Sequence, residues 1–178
     1  MKIKVTTAPT SEPVTVDYVK TVLRWVDTDS DTESLIEDYI TTARRQIEKA
    51  LDTGIVQQTI EVQINKDEFN DNKIRLPHTP IREVSKLEVV DKEGGSKELT
   101  KDSQYYVISG DRAMLLMNYG ISSDSFIQVT YSVGFDTIPE EYKTAIAEQV
   151  ANYFIGTDEA GSVNREIVSK LTDYNGIL

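Results

Sequence analysis

The chain contains no cysteine, which removes disulfides, thiolate metal sites and cysteine nucleophiles together and points to a reducing compartment or a particle assembled in one. It has one histidine, His78, so any catalytic triad or imidazole metal site would hang on that residue. Because His78 lies between Pro77 and Thr79, it reads as a turn residue rather than a catalyst. No run of 18 apolar residues is present, and Met1-Lys-Ile-Lys-Val-Thr-Thr-Ala8 lacks the apolar stretch of a signal peptide. The expectation is a soluble, unexported chain with no membrane partner. Positive charge is also scarce: 19 basic against 30 acidic residues give a formal net charge of -11. Such a surface repels a phosphate backbone, which argues against sequence-specific DNA binding. A repulsive wall nonetheless suits a channel through which a polyanion slides without sticking.

What is present fits one folded body. The length of 178 residues suits a single compact domain, and 39% hydrophobic with 28% charged residues lies outside the disordered class. Residues 1–13 are short and polar and end in Ser11-Glu-Pro13, so they read as a flexible arm or an added edge strand. Val16, Val19, Val22, Leu23 and Val26 share one face of a short helix over about 15–26, with Trp25 off the stripe as a packing or subunit-facing residue. Ser30-Asp-Thr-Glu33 is a capping box. From it Leu35, Ile36, Tyr39, Ile40, Ala43, Ile47, Ala50 and Leu51 run as one apolar stripe, with Gly54 as the left-handed stop.

Strand patterns follow. Ile60, Val62 and Ile64 alternate with Glu61 and Gln63, and strands are also expected at 73–76, 84–90, 105–108, 113–117 and 126–133. Gly94-Gly95 turns a hairpin rather than cradling phosphate, since neither G-x-x-x-x-G-K-[ST] nor G-x-G-x-x-G surrounds it. With no helix between them the strands should pair antiparallel. Thr137-Ile-Pro-Glu140 then opens a helix lined by Tyr142, Ile146, Val150, Tyr153 and Phe154. After a hinge at 157–161, Val163, Ile167, Val168, Leu171 and Tyr174 are spaced for a short amphipathic helix that could dock elsewhere.

The fold class expected is therefore α+β: a helical core of two N-terminal and one or two C-terminal helices with an inserted antiparallel β meander. The expected boundaries are an arm at 1–13 and a single domain at 14–178, comprising helices at 14–54, β insertion at 55–135, a helix at 136–156, and hinge plus docking helix at 157–178.

Nothing in this order is catalytic. Asp27, Asp29 and Asp31 resemble the opening of a calcium loop, but Thr32 and Asp38 stand where an EF-hand needs its glycine and its bidentate glutamate, so the acids read as an inter-helix turn. Glu140-Glu141, Asp67-Glu68 and Asp158-Glu159 sit in turns and first helical turns, where carboxylates are expected for solvation and the helix dipole. Arg44, Arg45 and Lys49 make a small basic spot better matched to Glu37, Asp38, Glu48 or Asp52, or to an acidic neighbour, than to nucleic acid. No cofactor is implied.

Taken in order, Asp31-Thr-Glu-Ser-Leu-Ile-Glu-Asp-Tyr-Ile40, Ala43-Arg-Arg-Gln-Ile-Glu48, Leu76-Pro-x-x-Pro-Ile-x-x-Val84, Tyr105-Tyr-Val107 and Tyr131-Ser-Val-Gly-Phe135 with Ile138-Pro139 resemble the head-tail connector, or adaptor, proteins of tailed bacteriophages over about residues 14–155. The arm at 1–13 and the tail after 160 fall outside the resemblance. It implies a non-enzymatic virion protein, assembled in the host cytoplasm, that forms a ring, twelvefold by the portal's symmetry, beneath the portal at the head-tail interface. There it would extend the DNA channel and present a surface to the next neck, stopper or tail-completion protein, with genomic DNA passing unbound. The reading from a different class is a small acidic β-rich ligand- or peptide-binding module using an aromatic sheet face of Tyr105, Tyr106, Tyr119 and Tyr131. An exposed aromatic face would favour the module, and subunit contacts around the helices would favour the adaptor.

Overall fold

A computed structural model describes residues 1–25, 29–69, 72–108, 110, 113–156 and 162–175. The chain is α+β and divides into two compact units: Met1–Pro9 with Gln57–Gly134, and Thr10–Val56 with Phe135–Leu178. Each unit has its own core, because helical stripes and strand alternations bury separate sets of side chains.

The helical unit holds α1 (Val16–Leu23), α2 (Ser30–Leu51), α3 (Glu140–Ile155) and α4 (Arg165–Asn175). Helix α1 stops short of 26 because Arg24 turns left-handed at φ 55°. Helix α2 follows its periodicity, with Ile36, Ile40, Ala43 and Ile47 buried. Its ends differ from expectation by a residue or two. Asp29, not Ser30, is the N-cap: its extended backbone lets the carboxylate accept the Thr32 N–H at 2.8 Å. Asp52, not Gly54, takes the left-handed C-cap at φ 52°, since an aspartate tolerates that conformation. At α3 the residue before the helix is Pro139, with no side-chain cap, and Gly156 closes the helix at φ 74°. Trp25 is a packing residue here, meeting Phe154 edge-on with ring centroids 4.7 Å apart.

The sheet unit holds β1 (Lys2–Thr7), β2 (Gln58–Asn65), β3 (Lys73–Arg75), β4 (Ile81–Val90), β5 (Ser96–Glu98), β6 (Tyr105–Ile108), β7 (Met114–Met117) and β8 (Phe126–Val133). The strands lie in two sheets, ordered β1-β2-β8-β4-β5 and β3-β7-β6, and every pair of named strands is antiparallel. Strand β8 lies between β2 and β4 rather than beside β7, its neighbour in sequence. Alternation decides which side is dry: Ile127, Val129, Tyr131 and Val133 of β8 face Ile60, Val62 and Ile64 of β2 and Val84 and Leu87 of β4 in one core. The hairpin at 91–95 is held by Asp91, whose carboxylate accepts the Glu93 and Gly95 N–H groups at 2.9 and 2.8 Å. A Cβ at Gly95 would sit 2.5 Å from that carboxylate, so a side chain there would push Asp91 out of these bonds. Residues 2–7 form an edge strand on β2 rather than a loose arm. Thr6 Oγ1 donates to the Thr59 carbonyl at 3.1 Å, and the N-terminal amine pairs with Glu68.

Candidate assembly surfaces

The helix expected to dock elsewhere is packed within its own unit. Ile167 and Leu171 are 3% and 2% exposed, and Val163 and Tyr174 lean on the same cluster, with Tyr174 edge-on to Tyr142. Of the five residues named for docking, Val168 alone stands outside that cluster, and it is half-buried. Polar contacts fix the start of α4 as well. The buried Gln149 of α3 accepts the Asn164 N–H at 2.8 Å, Tyr153 Oη donates to the Ser162 carbonyl at 2.7 Å, and Asn164 accepts the Glu166 N–H at 2.9 Å. A glutamine on the apolar side of α3 gave no sequence signal for this role. The hinge expected at 157–161 lies outside the described residues.

Between α3 and α4 runs a groove of about 380 Å³, floored by Ala145, Ile167 and Leu171 and rimmed by Glu140, Glu148 and Lys170. Its rim is charged rather than reactive. Lys170 is held above its ordinary pKa, first by the nearby Glu148 charge and then by Glu166. Glu140 is held below the usual carboxylate range by hydrogen bonds from Tyr18, at 2.6 Å, and Lys143. Burial and that same bond push the Tyr18 phenol up. A second groove, of about 640 Å³, is lined by Glu12, Asp17, Glu33, Glu37 and Asp38 beside Val14 and Ile40.

The basic spot on α2 separates into two roles. Arg44 is 3% exposed and bridges Glu12 at 2.6 Å and Glu48 at 2.7 Å, while Arg45 and Lys49 are exposed. Burial works against the Arg44 charge, but the two carboxylates outweigh it and hold its pKa above the ordinary value. Glu48 also accepts the Ile55 N–H at 2.9 Å, so this group ties the segment at Glu12, helix α2 and the chain leaving it. Its role is structural. Of the acidic turn, Asp27 lies outside the described residues, Asp29 caps α2 and Asp31 is exposed. Among the described residues no group of three His, Cys, Asp or Glu side chains is placed to hold a metal.

The four tyrosines read as a possible aromatic face are scattered. Tyr105 and Tyr131 are buried, Tyr131 Oη donating to the Pro77 carbonyl at 2.8 Å; Tyr119 is covered by Lys97; and Tyr106 alone is exposed, at 44%. Apolar groups that do reach solvent include Ile3 and Val5 on β1, Val22, Leu35, Ile108, and Ile155 at the end of α3. Periodicity marks these residues as apolar without saying whether their side of the element is covered.

The head completion protein family matches residues 12–164. No curated protein matches the chain. Among solved structures, a chain in the virion of a native gene transfer agent particle is 14% identical, with 96% of this chain and 94% of that one covered at a TM-score of 0.76. A chain from the neck of an empty particle of that kind, computed with C6 symmetry, is 17% identical over 87% and 84% at a TM-score of 0.73. Another, from the neck of a native particle computed with C12 symmetry, is 14% identical over 96% and 94% at a TM-score of 0.69. These likenesses extend the shared fold over both units.

Proposed function

The chain belongs to the head completion protein family, a structural family of the head-tail interface, and from that premise we propose that copies of it close a ring beneath the portal vertex, extend the DNA channel and offer a seat to the next neck protein. The single observation that carries this reading is the family match over residues 12–164, which runs through both units. Two features of the molecule agree with it. The described charged clusters are built for packing and solvation, with Arg44, Glu12 and Glu48 consumed in holding segments together. The net charge of -11 suits a wall past which DNA moves without adhering. The aromatic binding module, by contrast, lacks its platform, since Tyr105 and Tyr131 are buried.

The partners that follow are the portal, copies of the same chain in twelvefold register with it, and a stopper or tail-completion protein. Helix α4 would meet a portal or a neighbouring subunit through the face carrying Val168, because Ile167 and Leu171 are engaged within the unit. Weak pairwise contacts of this sort close a ring once a template raises the effective concentration of subunits, so a monomer in dilute solution accords with the proposal. The test is co-sedimentation of the purified chain with the portal of its own particle across a range of salt concentrations. Retention on the portal is expected. Failure to bind at every ionic strength would remove the proposal.

A further inference from the structure

The larger sheet ends on one side in β1, which pairs with β2 and has no described strand beyond it. All six residues of β1 are exposed, and they alternate in character. Ile3 and Val5 lie opposite the buried Val62 and Ile60, on the side of the sheet that forms the core, yet remain 46% and 50% exposed. Lys2 and Lys4 lie opposite Gln63 and Glu61 on the polar side. No described carboxylate forms an ion pair with either lysine.

The opposite end of the sheet is complementary. Strand β5 pairs only with Glu88, Val89 and Val90 of the ten-residue β4, and the Leu99 N–H donates to the Leu87 carbonyl at 2.8 Å. Residues Glu83–Lys86 pair with β8 alone. On the polar side Glu88 and Glu98 stand directly opposite each other, an unfavourable like-charge pair, with Lys86 at 2.9 Å from Glu88. Glu83 lies on the same side, opposite Ser132. One end of the sheet therefore carries two lysines, Lys4 opposite Glu61 and Lys2 opposite the neutral Gln63, and the other carries Glu83, Glu88 and Glu98 against Arg82 and Lys86. Their core-facing residues, Ile3 and Val5 at one end and Val84 at the other, are all aliphatic.

We propose that β1 of one copy adds to β4 of the next, beside β5, so that the five-stranded sheet runs on from subunit to subunit. Directions allow it: strands alternate along β1-β2-β8-β4, so a neighbour in the same orientation presents its β1 antiparallel to β4. Two copies of β1 pairing with each other are disfavoured, because Lys2 and Lys4 would face their own counterparts. The contact is thus head to tail, the kind that closes into a ring rather than stopping at a dimer. The competing account is that edge lysines only guard an open strand against aggregation. That account predicts no preference for the acidic end.

This inference rests on the ring reading, and its test is separable from that reading. The chain has no cysteine, so introduced thiols report single contacts. Directly opposed residues of an antiparallel pair lie within disulfide reach, about 4.5–5.5 Å between Cα atoms. The full chain carrying Lys4→Cys with Glu83→Cys, and a second version carrying Lys2→Cys with Glu83→Cys to cover register, is oxidised both free at high concentration and on the portal. Expected is a ladder of linked oligomers from at least one version, absent from each single variant and from Lys4→Cys with Ser122→Cys. In the ladder-forming background that retains Lys2, Glu98→Lys should cut the linked fraction at least fivefold, and adding Lys2→Glu should restore it. Unchanged melting temperatures would show the monomer intact. A ladder from free chains that do not bind the portal would uphold the strand contact while removing the portal reading. Linked dimers from Lys4→Cys alone, no ladder in either setting, or indifference to charge reversal would overturn the contact.

Discussion

Arg44 is buried between two carboxylates, and one of them, Glu48, also receives the Ile55 N–H. Removing Arg44 leaves the buried Glu48 carboxylate with the Ile55 N–H but without its counter-charge, while Glu12 keeps solvent and the Thr41 hydroxyl. We expect Arg44→Ala to cost roughly 3–5 kcal/mol in urea unfolding, whereas Arg45→Ala, one residue along and exposed, should stay within about 0.5 kcal/mol. Equal effects would mean that the Arg44 cluster contributes nothing beyond its surroundings. The α2 cap offers a second contrast. Asp29 is held below its ordinary pKa of 3.8, chiefly by the Thr32 N–H, so its contribution is present above that value and is lost as the pH falls through the depressed one. Asp29→Ala should lower the melting temperature at neutral pH, with the gap to the native chain closing below pH 3.8. Ser30→Ala should change little, and a larger effect there would return the cap to Ser30.

Among the elements, α4 separates what a pattern can say from what it cannot. The spacing of Val163, Ile167, Val168, Leu171 and Tyr174 was legible as an amphipathic helix, and α4 forms over Arg165–Asn175. An apolar stripe says that something covers it without saying what, and here the cover is the chain's own helical unit. Leu171→Ala is therefore expected to cost about 2–5 kcal/mol, and deletion of residues 161–178 to lower the melting temperature by many degrees. A truncated chain that melts normally would instead make α4 a detachable docking arm. Long-period patterns are the most readable: Ile36, Ile40, Ala43 and Ile47 of the α2 stripe and the alternation in β2 and β8 match their buried faces, while Leu35 and Ala50 at the ends of the stripe are exposed. The place of β8 between β2 and β4 was not readable, since pairing between distant segments depends on the whole sheet. For the same reason the sequence does not separate the edge strand at Lys2–Thr7 from a flexible arm. The caps fall one residue from Ser30 and two from Gly54 because the aspartates at 29 and 52 take the same backbone task.

For the whole molecule, net charge sets the first expectation. At 0.15 M salt the free chain should leave duplex DNA unshifted in a gel, since 30 acidic residues against 19 basic ones repel a phosphate backbone. Tight, salt-sensitive retention would contradict a passive channel wall. Two compact units in one chain also suit a protein that must meet several neighbours, because each core is satisfied separately and surfaces remain for contacts outside. The central claim is that this chain is a ring-forming part of the particle's neck. It is tested most directly by electron microscopy of the purified portal mixed with excess chain. The account predicts a closed ring of this protein seated coaxially on the portal, with an open centre continuing the portal channel. Portals that stay bare, or that carry isolated copies with no closed ring at saturating concentration, would contradict it.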